Sequence, residues 1–144
     1  MPEQNFRERV RESFARQRVM RLLGAELVLV EPGVIEIDLP FREDLTQQDG
    51  FIHAGIITTV LDSACGYAAY SLMPEGSSVL SVEFKVNLLA PAKADVIRVR
   101  AEVKRAGKTL TVCTADAYAG EKICATMLAT MIQQNFQRFT SQDG

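Results

Sequence analysis

Two hydrophobic periods divide this chain. Near its start, Phe6, Val10, Phe14, Val19 and Met20 recur about once per helical turn among many charges. That spacing predicts an amphipathic surface helix over residues 4–21. In the second half the period falls to two. Leu80, Val82, Phe84, Val86 and Leu88 alternate with Ser81, Glu83, Lys85 and Asn87. Ile97, Val99, Ala101 and Val103 alternate with Arg98, Arg100, Glu102 and Lys104. Such alternation predicts strands with one packed face. Strands are expected at 26–30, 34–39, 79–89, 97–104, 109–118 and 122–133, with turns at Glu31-Pro32-Gly33, Ala106-Gly107 and Ala119-Gly120-Glu121. Phe41 to Phe51 is polar and irregular, a loop. Between the two regimes, Ile56 to Leu72 reads IITTVLDSACGYAAYSL, apolar or small on every side. A helix of that kind lies inside a protein. Its start falls near Ala54, and Met73-Pro74-Glu75-Gly76 stops it.

The predicted order is helix, two strands, buried helix, four strands. The last three strands, joined by tight turns, form an antiparallel meander. One strand layer surrounds a helix only by curling around it. The expected architecture is therefore α+β: a curved antiparallel sheet of about six strands wrapped on one long central helix, plus the N-terminal helix. A single domain spans residues 1–144, with its core at 22–133 and a polar tail at 134–144. Such a sheet still leaves one side of the helix, rich in Ala, Gly and Ser, uncovered. A second copy of the chain is the economical cover.

Composition narrows the function. The 144 residues are 47% hydrophobic and 24% charged, with a formal net charge of −2. That suits an ordinary globular domain and gives no basic surplus to attract nucleic acid or an anionic membrane. Thr58, Thr59 and Asp62 interrupt the longest apolar run, so no transmembrane span is expected. The charged start, MPEQNFRERVRESFARQ, lacks the apolar core of a signal peptide, which makes the cytoplasm the expected compartment. Cys65, Cys113 and Cys124 form no CxxC pair and read as free buried thiols. A single His and scattered Cys supply no metal site.

The chemistry centres on Asp62, the only charge in the buried helix. Asp is rarely buried without a partner, and an unpaired buried charge is costly. Either its neighbours (Thr58, Ser63, partner backbone) satisfy it or it does chemistry. Just upstream lies Gly50-x-x-His53-Ala54-Gly55, with Asp62 nine residues after the only histidine. This pattern resembles the Gly-x-x-His-Gly-Gly…Asp signature of hotdog-fold acyl-CoA thioesterases, especially the phenylacetate-pathway (PaaI-type) group. Ser81-Val82-Glu83-Phe84-Lys85-Val86-Asn87, then Pro91-Ala92-Lys93, resembles that family's third strand, and Arg105-Ala106-Gly107-Lys108-Thr109 its next hairpin. The likeness covers roughly Leu22 to Ile132.

The resemblance implies hydrolysis of an acyl-CoA, with an aryl-acetyl or medium- to long-chain acyl group, to free acid and CoA. Asp62 acts as base or nucleophile. A carboxylate in a partly dry pocket is a stronger base than one in water. The Ala54 and Gly55 amides, unpaired at a helix start and aided by its dipole, form an oxyanion hole. Gln47, where the family often has Asn, and Ser81 position water and thioester, although Ser81 falls on the polar side of its strand with Glu83 and Lys85. His53 reads first as a holder of the turn. Pro91, Lys93, Arg105, Gly107 and Lys108 border the CoA groove, and Tyr67, Tyr70 and Leu72 set pocket depth. No cofactor is expected, since CoA belongs to the substrate. The partners implied are a homodimer with shared active sites, paired into a homotetramer. A hotdog hydratase would want a His beside the Asp at a spacing this chain lacks. The rival from another class is a non-catalytic acyl-CoA binding or sensing module, which would keep the groove without needing Asp62.

Overall fold

The computed structural model describes residues 5–135. Two short helices, α1 (Phe6–Arg16) and α2 (Arg18–Leu23), lead into strands β1 (Glu26–Glu31) and β2 (Val34–Pro40). A 3-10 turn at Glu43–Leu45 interrupts the loop, and α3 (Ala54–Tyr70) follows. Strands β3 (Ser78–Leu88), β4 (Val96–Ala106), β5 (Leu110–Ala119) and β6 (Lys122–Gln134) complete the chain. One six-stranded sheet results, in the order β1-β2-β4-β5-β6-β3, every neighbour antiparallel. This is the hotdog architecture. The meander β4-β5-β6 forms as the turns predicted, and β3 joins it at the β6 edge.

The core lies between α3 and the sheet. Ile57, Val60, Leu61, Ala64, Cys65 and Ala68 of α3 are buried, as are Ile35, Ile37, Val99 and Met127 on the strands. Ala115, Ala117, Ala125 and Ala129 are buried too. Their small side chains give the long helix room to lie against the sheet's concave face.

The helix expected over 4–21 is two helices, and position 4 lies outside the described residues. Gln17 breaks it with an extended backbone (φ −76°, ψ 103°). Its side chain leaves the helix face to accept a hydrogen bond from Ser63 Oγ on α3 at 2.8 Å. Gly24, at φ 72°, ends α2 in the left-handed conformation that glycine adopts without strain. The tail at 134–144 lies outside the described residues beyond Asn135.

Part of the side of α3 that the sheet leaves uncovered is met by α1, which packs on its C-terminal half. The Phe14 and Tyr67 rings stand 5.8 Å apart, Ser13 Oγ lies 3.2 Å from Tyr67 Oη, and Arg9 stacks over the Tyr70 ring. Gly55 stays exposed, and Ile56, Thr59 and Asp62 partly so.

Candidate active site

The N-terminal turn of α3 is made by backbone geometry. His53 has an extended conformation (ψ 136°), and its Nδ1 accepts the Gly55 N–H at 2.8 Å. A Cβ at position 55 would sit 3.1 Å from that nitrogen, so glycine lets the ring fold over the turn. The Ile56 and Ile57 amides donate to the His53 carbonyl at 3.0 and 3.2 Å. Among the described residues, the Ala54 N–H has no partner. Of the two amides expected to form an oxyanion hole, the Gly55 N–H is taken by His53 and the Ala54 N–H is open. The histidine caps the helix.

Gln47 closes the preceding loop. Its Oε1 accepts the Asp49 and Phe51 amides at 2.5 and 3.3 Å, and its own amide pairs with the Phe51 carbonyl. An amide side chain has two acceptor sites and two donors, so the NH2 of Gln47 remains for other work.

Asp62 is positioned differently, by side chains. Ser81 Oγ donates to Asp62 Oδ1 at 2.5 Å. Strand alternation alone would turn Ser81 away, on the face of Glu83 and Lys85. A β-bulge prevents this. Ser81 pairs with Met131 but Glu83 pairs with Thr130, leaving Val82 unopposed. A bulge inserts one residue and resets which face follows. Ser81 thus shares the inner face with Met131, Phe84 and Val86, aimed at α3. The Thr58 and Thr59 hydroxyls donate back to the Ala54 and Gly55 carbonyls, at 2.8 and 2.9 Å, and are not Asp62's partners.

These groups line two separate cavities. One, of about 400 Å³, contains Asp62, Ser81, Tyr67 and Tyr70, closed by Ser13 and Arg16 of α1 and by Gln17 just after it. The other, of about 520 Å³, contains Gln47, Ala54 and Pro91 among Phe51, Ile57, Leu88 and Leu89. Leu72, expected in the pocket, is absent from both; its Cδ1 packs by Gly33 instead. The sequence reading missed Arg16 and the Ser77-Ser78 pair beside Asp62. They carry no periodic signal, and only the fold brings α1 and the start of β3 together.

The residues expected around CoA are also split. Lys93 stands 5.8 Å from the Phe51 ring, at the mouth of the apolar cavity. Arg105 and Lys108 are exposed on the β4–β5 hairpin at the far end of β4. Gly107 serves that turn: its N–H meets the Leu110 carbonyl at 2.8 Å, and a Cβ there would lie 2.5 Å from the same oxygen.

The thiols are not nucleophiles. Burial, then the neighbouring Cys113, raises the Cys65 pKa, and burial pushes Cys113 up to about 12. Such thiols stay protonated at neutral pH. Burial likewise raises the pKa of the Tyr67 phenol, keeping it a neutral donor. Among the described residues no cluster of His, Cys, Asp and Glu is placed to hold a metal, and no helix is long and apolar enough to cross a membrane.

Comparison with known proteins agrees with the fold. The thioesterase superfamily profile matches residues 49–125, from the loop before His53 into β6. The chain belongs to the thioesterase superfamily. A thioesterase family protein from Silicibacter pomeroyi is 53% identical, with a TM-score of 0.88 over 90% of this chain and 98% of its own. Human acyl-coenzyme A thioesterase 13 is 28% identical over 115 residues, 78% of this chain and 81% of that protein. The PaaI protein of the Escherichia coli phenylacetic acid degradation operon superposes with a TM-score of 0.85 over 93% of this chain and 96% of its own. At 15% identity that is a likeness of fold. The superfamily member described here is a thioester hydrolase.

Proposed function

We propose that this thioesterase hydrolyses acyl-CoA at sites built from two copies of the chain. The division of α3 between two cavities carries the reading. Asp62 and the Ala54 N–H lie eight residues apart on one helix, about 12 Å at 1.5 Å per residue. A base and an oxyanion donor must both come within about 3 Å of the reacting group. One chain does not assemble them. Two antiparallel copies of α3, related by a two-fold axis near Thr58 and Thr59, bring each Asp62 to the first turn of the other.

The edge of the sheet supports this arrangement. β3 exposes Leu80, Val82, Phe84 and Leu88, between 44% and 57% accessible, with Leu89 just beyond. A long, apolar, unpaired edge strand is a template for another chain. In this reading Lys93, beside the Phe51 ring of the apolar cavity, and Arg105 and Lys108, exposed on the β4–β5 hairpin, supply cations for the CoA phosphates. Leu110 and Leu128, exposed on the sheet's outer face, suit the pairing of dimers into tetramers.

The reaction follows from these groups. Asp62, oriented by Ser81, takes a proton from water as the water oxygen adds to the thioester carbonyl carbon. Alternatively its own oxygen adds there, and the anhydride formed is cleaved by water. In both routes the carbonyl oxygen becomes an oxyanion, held by the partner subunit's Ala54 N–H at the positive end of its helix. Collapse breaks the carbon–sulfur bond, and the CoA thiolate is protonated as it leaves. The partner subunit's Gln47 NH2 faces the water. No metal or cofactor is called for, because amide and dipole do the polarising.

Thiol release from a panel of acyl-CoAs, on wild type and Asp62→Asn, tests this. Wild type turns over, and Asp62→Asn keeps binding while losing about 10²- to 10⁴-fold in kcat. Binding without turnover on any acyl group leaves the non-catalytic binding module. Equal rates place the base elsewhere.

A further inference from the structure

One proton decides how Asp62 is aimed. The Ser81 hydroxyl has a single hydrogen and two acceptors in reach, Asp62 Oδ1 at 2.5 Å and Met131 Sδ at 3.4 Å. The carboxylate takes it, because a charge-assisted bond to oxygen is short and strong while a thioether is a weak acceptor. Oδ1 is then held, and among the described residues Oδ2 has no hydrogen-bond partner. Oδ2 is the oxygen left for the reaction. Met131 is buried and stands directly opposite Ser81, on β6. On its other side it stands opposite Thr111 of β5, which is buried as well. One row of the sheet's inner face therefore reads Thr111, Met131, Ser81. Hydroxyls directly opposite each other bond across strands. A polar side chain in the middle would join this row into hydrogen bonds leading away from Asp62. The sulfur interrupts them.

We propose that Met131 is a positioning residue for the hydrolysis: its thioether fills the space beside the Ser81 hydroxyl without competing for the proton, and so reserves that proton for Asp62. This rests on the hydrolase reading above, in which Asp62 is base or nucleophile. The action of Met131 runs through Ser81. Two requirements meet at position 131. The side chain must be large, since an open space beside Ser81 would let its hydroxyl turn to another staggered position. It must also be a poor acceptor, since a good one would draw the proton off the carboxylate. An unbranched thioether meets both and adapts to an irregular gap. Met131 lies beyond residues 49–125, which the superfamily profile matches, so its part in the site comes from its place opposite Ser81 and not from the family pattern.

The test measures thiol release by the full-length protein, Met131→Thr against Met131→Val, on the acyl-CoA that wild type cleaves best. The two replacements have nearly the same shape and leave the same space. They differ by one hydroxyl, placed opposite Ser81, where it can bond across the strands. The kcat of Met131→Thr is about five- to tenfold below that of Met131→Val, as diversion of one hydrogen bond implies, with KM equal within about twofold. In a Ser81→Ala background the difference vanishes, because no proton is left to divert. Met131→Gln against Met131→Leu makes the same comparison at nearly the native length, should the shorter pair not fold. Equal kcat within a folded pair overturns the assignment. So does a difference that persists without Ser81, since burial of a polar group alone would then account for it. In both cases the hydrolase stands. If wild type cleaves no acyl-CoA in the panel, the hydrolase reading falls, and the role of Met131 with it.

Discussion

The first turn and the middle of α3 are built from different materials. At its N-terminus an open main-chain amide, the Ala54 N–H, is framed by a folded-over histidine ring and set in an apolar groove. Near its middle stands a side chain, Asp62, held by a serine and set in a polar cavity that a different helix closes. The backbone half needs no particular side chain at position 54, since alanine and glycine supply the same main-chain N–H. The side-chain half depends on identity and on strand register. In the proposed function the same feature separates and unites them: the two groups lie about 12 Å apart along one helix, too far for one chain to use both on one substrate.

The sharpest way to break that comparison is to delete the backbone half alone. Ala54→Pro removes one N–H and little else. Proline is well tolerated at the first helical position, and His53 already has the extended backbone that a following proline requires. Turnover should fall about 10²- to 10³-fold, the cost of one oxyanion donor, with the thermal midpoint nearly unchanged. Mixing it with Asp62→Asn extends the test. Each variant alone is inactive, but a mixed dimer joins an intact Asp62 to an intact Ala54 at one of its two sites. After subunit exchange, activity should return to about one quarter of wild type for a two-fold dimer. No recovery, with exchange verified by mass, would place both groups in one chain's site.

The contact that joins the halves is the next to disturb. Phe84 is 44% exposed on the edge strand, on the same face as Ser81. Phe84→Asp should weaken the dimer by roughly 10²- to 10⁴-fold, as loss of about 1.5–3 kcal/mol of aromatic burial on each of two subunits implies. Sedimentation measures the mass, and specific activity should fall on dilution along the same curve. Activity that persists in a verified monomer would separate catalysis from assembly.

Much of this was legible in the residues, for physical reasons. Burial on both sides erases a helix's polar stripe, so Ile56–Leu72 declared itself central. Alternation located every strand, and small residues with a lone carboxylate marked the active helix. What stayed hidden depends on position in space. The register of β3 turns on one unopposed residue, Val82, which looks in sequence like any other alternating valine; reading through it put Ser81 on the wrong face. The break at Gln17 has no proline or glycine to announce it, because a bond to Ser63 on another element makes it. The competition of His53 for the Gly55 amide is a matter of a ring torsion that no spacing rule encodes.

The smallest effect tests whether Gln47 belongs to the loop or to the reaction. Its Oε1 holds the Asp49 and Phe51 amides, a duty any side-chain oxygen at that reach can perform. Its NH2 is the part assigned to the attacking water. Gln47→Glu separates the two. The acceptor and its length are kept, so the loop and the apolar cavity should persist, with stability within about 0.5 kcal/mol of wild type. The donor is replaced by a second acceptor, so kcat should fall about two- to tenfold, the worth of one ordinary hydrogen bond, with little change in KM. Gln47→Ala, which removes the oxygen as well, should also lower the thermal midpoint. If Gln47→Glu turns over like wild type while Gln47→Ala is merely less stable, Gln47 is a loop brace, and the water is held by Asp62 alone.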